Sequence, residues 1–231
     1  ISWSLAGGWA IKGVGVIKMV LLARLLSPQD FGAIGVLVLA ANGLGVFSDI
    51  GIGAALIQKQ QVDRRDLDTA WTLTLLRGIL LFGLLCTAAG PLAAYFDEPA
   101  LEPAFRAVAV CFLLEGGANI GTVLFQRDVE FKQKVRLDVA ADFAGALSAM
   151  VLALVLRDFW ALVWASLIWR LTYLGLSYRM HPYRPRLCWD RTRALQLIHF
   201  GKHVFWISVV TFIVTNGDDA LVGRVLSLEL L

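Results

Sequence analysis

The sequence predicts an all-α fold, a polytopic transmembrane helical bundle. Hydrophobic residues make up 58% of the 231 residues, charged residues make up 17%, and the mean hydropathy is +0.69. A soluble domain usually carries about a quarter charged residues. The apolar residues also come in blocks of the roughly 20 residues that a helix needs to cross a bilayer. Strand-like alternation is absent, and helices satisfy their own backbone polar groups in lipid, so we expect helical spans.

Seven spans are predicted in order along the chain. They cover residues 3–23, 31–57, 67–95, 103–125, 137–156, 159–179 and 204–226. The turns after the first and third spans contain "LSPQDFG" and "FDEPALEP", where proline breaks the helix. Residues 189–203 mix polar and apolar side chains, which predicts a short interfacial helix before the last span.

The two ends of the chain also carry information. Lys12 and Lys18 lie inside the first span and no small-residue cleavage site follows it, so this span is not a signal peptide. The chain begins at Ile1 rather than at a methionine, and it ends in "LSLELL" without a closing loop. We therefore expect the chain to be part of a longer protein.

Basic residues predict the orientation of the spans. The loops after the second, fourth and sixth spans carry thirteen lysines and arginines, whereas the opposite loops carry three. Because positively charged loops stay in the cytoplasm, the N-terminus and residues 58–67, 127–136 and 180–202 are predicted to be cytoplasmic. These loops also account for the net charge of +3, which calls for no nucleic-acid partner.

Cysteine and histidine residues predict neither a disulfide framework nor a metal site. Cys86, Cys111 and Cys188 are an odd number and form no C-x-x-C pair. His199 and His203 are four residues apart and share a helix face, but two ligands are too few for a metal ion.

Polar and small residues recur at helical spacing within the spans. Because a charge that faces lipid is costly, each such stripe is expected to face the interior, as part of a polar core or of a water-filled cavity. The main stripes are Asn42, Gly45, Asp49 and Gly53 in span two; Glu115, Asn119, Thr122 and Gln126 in span four; Asp138, Asp142, Gly145 and Ala149 in span five; Ser166, Arg170, Tyr173 and Ser177 in span six; and Ser208, Thr211, Thr215 and Asp218 in span seven.

The cations within the spans are candidates for binding an anionic substrate such as a phosphate or a sugar acid. Lys12, Arg77 and Arg170 form this predicted substrate-binding set. Lys18 is six residues beyond Lys12 and lies close to the external end of its span, so we expect it to snorkel to the interface.

The carboxylates within the spans are candidates for ion coupling or for charge pairing. They are Asp49, Glu115, Asp142 and Asp218. For Asp49 the first interpretation is a structural ion pair with Arg77, and the second is a titrating carboxylate. The same two interpretations stay open for Glu115 and Arg170, both of which lie near the middle of their spans.

Four stretches of the chain carry a resemblance to a known family. "LLARLLSPQDFGAIGVLVL" (21–39), "FSDIGIGAALIQ" (47–58), "FWALVWASLIWRL" (159–171) and "NGDDALVGRVLSLELL" (216–231) resemble the polysaccharide-biosynthesis flippases. These are the Wzx-like branch of the multidrug/oligosaccharidyl-lipid/polysaccharide exporter superfamily. In the last stretch Asn216 and Asp218 match the family pattern, whereas Asp219 is an added charge.

The resemblance implies a transporter that moves a lipid-diphosphate-linked oligosaccharide to the outer leaflet of the bacterial cytoplasmic membrane for surface polysaccharide synthesis. It implies two six-helix lobes, so that residues 1–179 would form the N-terminal lobe, 180–203 a cytoplasmic linker, and 204–231 the first helix of the second lobe. The implied partners are membrane lipid, a polyprenyl-diphosphate-linked oligosaccharide, and H+ or Na+ as the candidate coupling ion. Flipping breaks no bond, so neither a catalytic residue nor a cofactor is expected.

Two alternative functions remain open from the sequence. A multidrug or cation antiporter of the same superfamily should have an acidic cavity, whereas the stripes here mix Arg77 and Arg170 with Asp49 and Glu115. An integral-membrane glycan-processing enzyme would need carboxylates or histidines on a surface loop, where "FDEP" is the only acidic cluster among the external loops.

Overall fold

The computed structural model describes residues 15, 18–48, 51–201, 205–206 and 210–211. All regular secondary structure in these residues is helical, which confirms the predicted all-α class. Most of the seventh predicted span and most of the first lie outside the described residues. The same holds for three candidate site residues, Lys12, Asp49 and Asp218.

Nine helical segments make up the described part of the chain. They are α1 (residues 18–25), α2 (Pro28–Ser48), α3 (Ile52–Gln58), α4 (Arg64–Tyr95), α5 (Leu101–Gly117), α6 (Leu124–Arg127), α7 (Phe131–Leu156), α8 (Trp160–Met180) and α9 (residues 191–201), with a 3₁₀ turn at Ile120–Val123 before α6. Helices α2, α4 and α7 are long and apolar enough to cross a membrane, and α5 with the segment after it would make a fourth span. The chain is therefore a multi-pass membrane protein.

Local signals explain where α2 and α4 begin. The Asp63 carboxylate accepts a hydrogen bond from the backbone N–H of Asp66 at 3.0 Å, and the Asp66 carboxylate accepts one from the N–H of Asp63 at 3.2 Å. This reciprocal pair is a capping box, which satisfies two of the free N–H groups at the start of α4. Asp30 accepts from the N–H of Ser27 at the start of α2 and from the N–H of Phe159 before α8, which joins these two helix ends.

Two of the predicted spans are broken, which corrects the prediction of continuous helices. Span two ends as α2 at Ser48 and resumes as α3 after Gly51, whose φ of 60° is a left-handed conformation that glycine adopts readily. Span four ends as α5 at Gly117, and the helical residues Ile120–Arg127 lie at 71° to it. The prediction of one continuous helix face through Gly53, and of one through Asn119, Thr122 and Gln126, is therefore wrong, because these residues follow the breaks. Asn119 and Thr122 are nevertheless buried, as the prediction that they face the interior required.

The longer helices pack in pairs, with α4 against α5 and α7 against α8, and α8 also packs on α5. The α4–α5 crossing depends on two facing glycines. A Cβ atom at Gly78 would lie 2.5 Å from the carbonyl oxygen of Phe112, and one at Gly116 would lie 2.7 Å from that of Thr74. Such backbone contact is the usual way in which small residues bring membrane helices together.

Three clusters of buried apolar side chains fill the described bundle, and the smallest joins the end of α1 to α7 and α8 through Leu22, Leu26, Ala153 and Ala161. The first joins α2, α4, α5 and α8 through residues such as Leu37, Leu85, Phe105 and Val163. The second joins α3, the first turns of α4, and α9 through Ile52, Leu56, Leu67, Leu73, Ala194 and Leu197. The predicted helix at 189–203 is thus confirmed as α9, and one of its faces is buried against the bundle.

Candidate functional site

Two cavities lie on either side of α8. The first, of about 540 Å³, is lined by residues of α2, α4, α5 and α8. The second, of about 460 Å³, is lined by Gly15, Lys18 and residues of α7 and α8. Leu162, Ser166 and Arg170 line both. The α8 face that carries Ser166 and Arg170 is therefore a shared wall, as the predicted stripe of span six required.

Arg170 lies at the centre of this wall. Its Nη1 atom is 2.8 Å from Oε2 of Glu115 on α5, and its Cζ atom is 4.9 Å from the centre of the Trp169 ring. The side chains of Arg170 and Glu115 are 35% and 45% exposed, so the ion pair is open to the cavities rather than sealed in the core. A charged ligand that enters either cavity can therefore reach the guanidinium.

Trp169 links Arg170 to the second cavity. Its Nε1–H donates to Oδ1 of Asp142 on α7 at 2.7 Å, and its ring stacks on Tyr173 with 5.6 Å between the ring centres. Gly145 allows this arrangement, because a Cβ atom there would lie 2.8 Å from Cδ1 of Trp169. Glu115, Arg170, Trp169 and Asp142 thus form a chain of polar and aromatic contacts from the first cavity to the second.

Arg77 lines the first cavity and also holds the end of α2. Its Nε–H donates to Oγ of Ser48 at 3.0 Å, and its Nη2–H donates to the carbonyl oxygen of Gly45 at 2.9 Å. The carbonyl oxygen of Gly45 also accepts a hydrogen bond from the Ser48 hydroxyl at 2.9 Å, so Arg77 joins a contact in the last described turn of α2. Arg77 thereby fastens the last described turn of α2 to α4. The predicted pair of Asp49 with Arg77 stays a prediction, because Asp49 is outside the described residues.

The structure brings together four of the seven candidate residues, Arg77, Glu115, Arg170 and Asp142. On α7 the predicted stripe is confirmed where Asp142, Gly145 and Ala149 line the second cavity, whereas Asp138 pairs with Lys134 at 2.5 Å. Lys18 lines the second cavity with Asp142 and Arg170, and its predicted reach to the interface stays a prediction. The packing of α1 against α7 and α8 brings Lys18 to this cavity.

A second polar cluster was predicted only in part, since Asn119, Thr122 and Ser177 belong to predicted inward stripes whereas Asp66, Asp68, Thr69 and Thr72 were missed. The buried polar side chains among the described residues are Asp66, Asp68, Thr69, Thr72, Asn119, Thr122 and Ser177, near the linker that follows α8. Asn119 connects α8 to the linker, since its backbone N–H donates to Oγ of Ser177 and its Nδ2–H donates to the carbonyl oxygen of Tyr183. The three aspartates of "DRRDLD" at 63–68 were the available signal for the missed residues, at the junction of the predicted basic loop 58–67 and the third span.

Known proteins resemble the chain over nearly its whole length. It is 24% identical to a succinoglycan biosynthesis transport protein of Rhizobium meliloti, over 99% of this chain and 46% of that protein. It is 23% identical to a lipopolysaccharide biosynthesis protein of Escherichia coli, over 97% and 46%. It is also 23% identical to a teichuronic acid biosynthesis protein of Bacillus subtilis, over 99% and 48%. The chain thus spans about half the length of these relatives, and no solved structure matches it.

The match to a protein family agrees with these relatives. A sequence model described as "Polysaccharide biosynthesis protein" matches residues 21–231, a range that contains all four stretches on which the resemblance was based. The same range contains both cavities apart from Gly15 and Lys18. The chain belongs to the polysaccharide biosynthesis protein family.

Proposed function

We propose that the protein to which this chain belongs is a flippase of the bacterial cytoplasmic membrane. It moves a lipid-diphosphate-linked oligosaccharide from the inner to the outer leaflet for surface polysaccharide synthesis. The names of the relatives support a polysaccharide-related transporter, and one of them is named a transport protein. The apolar outer faces of α2, α4 and α7 leave the lipid tail free to stay in the bilayer.

The observation that carries this proposal is the position of Arg170 in the wall between two cavities. A guanidinium presents a planar fork of N–H donors that matches the oxygens of a phosphate group. Glu115 balances this charge at 2.8 Å while the cavity holds no anion, and the exposure of the pair lets a diphosphate compete for it. Lys18 adds a cation to the second cavity.

Transport of this kind needs two states rather than a chemical reaction, because flipping breaks no bond. Substrate and ion binding need only shift the balance between inward-open and outward-open states. In this proposal residues 1–179 form one lobe, 180–203 the linker and 204–231 the start of a second lobe. H+ or Na+ is the coupling ion, with Glu115 and Asp142 as its candidate carboxylates in the described cavities.

A cation or multidrug antiporter is the second candidate function. The exposed carboxylate of Glu115 in the first cavity favours it, since such a group attracts cationic substrates. The arginine beside that carboxylate argues against it. A direct comparison of substrates separates the two functions.

The full-length protein, reconstituted in vesicles, should move a fluorescent polyprenyl-diphosphate-linked oligosaccharide between leaflets. Translocation is measured as the fraction of probe that becomes accessible to a membrane-impermeant quencher. We expect a faster rise than in protein-free vesicles, and no uptake of a cationic dye. Uptake of the dye without movement of the oligosaccharide would support the antiporter instead.

The predicted orientation can be tested by cysteine labelling in intact cells, with the native cysteines replaced. Cysteines introduced at Gln61 and Gln133 should resist a membrane-impermeant maleimide, because both loops are predicted to be cytoplasmic. The control is Glu98, which is exposed in the turn after α4 and should be labelled readily. Labelling of Gln61→Cys or Gln133→Cys at the rate of Glu98→Cys would reverse the orientation.

A further inference from the structure

The linker after α8 is held in place by polar side chains on the first turns of α4. Asp68 is 6% exposed, and its Oδ1 accepts hydrogen bonds from the Tyr183 hydroxyl at 2.5 Å and from the N–H of Arg186 at 3.0 Å. Thr72 accepts the N–H of Cys188 at 3.1 Å. Residues 183–188 have no regular secondary structure, so these side chains take the place of a helical hydrogen-bond pattern.

A second carboxylate joins three parts of the chain. Asp66 is 1% exposed, and its Oδ1 is 2.6 Å from Nζ of Lys59, next to the end of α3, and 2.7 Å from Nη1 of Arg193 on α9. Arg193 also contacts Asp63, the residue that caps α4. Hydrogen bonds from Arg193 and from the N–H of Asp66 together lower the pKa of Asp63 to about 2. The contacts connect α3, α4 and α9 at one point.

These contacts reach the cavities through the breaks in two helices. Helix α3, which Lys59 holds to Asp66, follows the break whose other side is held by Arg77 in the first cavity. Asn119, at the break after α5, donates to the carbonyl oxygen of Tyr183 in the linker. A movement of the linker would therefore act on the ends of α2 and α5, both of which line the first cavity.

We infer that Asp66 and Asp68 are positioning residues for transport, which hold the linker on α4 so that α3, α4 and the linker move as one unit. This inference rests on the proposed transport function. Apolar packing of Ala194 and Leu197 already keeps α9 on the bundle. The buried carboxylates add something that apolar packing does not, because they specify how the linker is aligned along α4. Buried ion pairs are better suited to specifying such an alignment than to adding stability.

Hydrogen exchange of the full-length protein in lipid nanodiscs tests whether the linker is held. We expect Asp66→Asn and Asp68→Asn to raise the exchange rates of amides 183–201 at least about 10-fold. The linker could then detach from α4 without breaking the hydrogen bonds that these two carboxylates accept. Tyr183→Phe removes a single hydroxyl without burying a new group, so it remains informative if a carboxylate variant misfolds. It should raise exchange at 183–188.

Asp190→Asn is the matched control. Asp190 carries the same charge, lies in the same linker and contacts Arg193 at 3.3 Å, but its carboxylate accepts from the N–H groups of Thr192 and Arg193 and so caps α9. Because asparagine is also a good helix cap, this variant should leave exchange unchanged. Unchanged exchange in Asp66→Asn, Asp68→Asn and Tyr183→Phe would overturn the inference.

Transport assays on the same variants test whether the contacts between the linker and α4 are needed for transport. Turnover of the fluorescent oligosaccharide should fall at least about 5-fold in Asp66→Asn and Asp68→Asn with the apparent KM unchanged, because positioning alters the movement and not the binding groups. Faster exchange with parental turnover would also overturn the inference. A parent protein that moves no oligosaccharide would contradict the proposed function alone, and the exchange rates would still show whether the carboxylates hold the linker.

Discussion

Arg170→Lys is expected to lower the rate of oligosaccharide transport at least about 10-fold, although the charge is retained. Lysine offers a point charge in place of a planar fork, so it cannot hold Glu115, lie over Trp169 and face a phosphate group with the same geometry. Arg170→Ala should reduce transport at least as much. The measurement is the initial rate of translocation in vesicles, normalised to the amount of inserted protein.

A matched control is available on α5. Arg106 and Glu102, one helical turn apart on α5, form an ion pair at 2.5 Å. Neither residue lines either cavity. Arg106→Ala and Arg106→Lys should therefore transport at the parental rate. If Arg106→Ala were as defective as Arg170→Ala, loss of any arginine of the bundle would explain the result and the role in substrate binding would be wrong.

The double variant Arg170→Ala/Glu115→Ala separates substrate binding from charge balance. If Arg170 and Glu115 only neutralise each other, removing both should restore transport to near the parental rate, because neither charge is left unpaired. If Arg170 contacts the substrate, the double variant stays defective while it remains folded and inserted. We expect the second result. Recovery of transport would limit the pair to a structural role.

Gly116→Ala is expected to destabilise the bundle by about 1–3 kcal/mol, the cost of adding a methyl group to a tightly packed interior. The new Cβ atom would lie 2.7 Å from the carbonyl oxygen of Thr74 and 3.2 Å from Cα of Gly78, and backbone atoms cannot rotate away as side chains do. Helices α4 and α5 would have to separate. The measurement is unfolding by denaturant in detergent, followed by circular dichroism.

Gly83→Ala is the control on α4 for this change. A Cβ atom at Gly83 would have no atom within 4 Å, and the residue is exposed. Alanine should therefore stabilise α4 by about 0.5–1 kcal/mol, as it does in the middle of most helices. Equal stability of Gly116→Ala and Gly83→Ala would show that α4 and α5 are not in the contact described here.

Several parts of the fold and site were predictable from residue order alone. Apolar runs of bilayer length predicted α2, α4 and α7, since the energy of a span depends mainly on its own composition. Helical spacing placed Ser166 and Arg170 on one face of α8 and Asp142, Gly145 and Ala149 on one face of α7. The four quoted stretches predicted the family, which the match over residues 21–231 confirms.

The breaks in spans two and four were not predicted, because apolar residues resume after both and each run is long enough for one helix. Ser48 and Gly51 in span two, and Gly117 and Asn119 in span four, were the local signals for a break. What stabilises the breaks comes from distant parts of the chain. Arg77 satisfies groups at the end of α2 from 29 and 32 residues away, and Ser177 and Tyr183 bond to Asn119 across 58 and 64 residues. A helix ends where such partners are available, and sequence neighbours do not reveal them.

Sequence by itself therefore determined the class of the protein, the spans of α2, α4 and α7, and the helix faces of Arg170 and Asp142, since these follow from composition and helical period. Tertiary structure alone decided which of these residues meet. Helix packing places Lys18 in the lining of the second cavity and pairs Arg170 with Glu115. It also places the linker against Asp66 and Asp68. The physical reason is that helical period specifies the face of a side chain, whereas its partner depends on how separate helices pack.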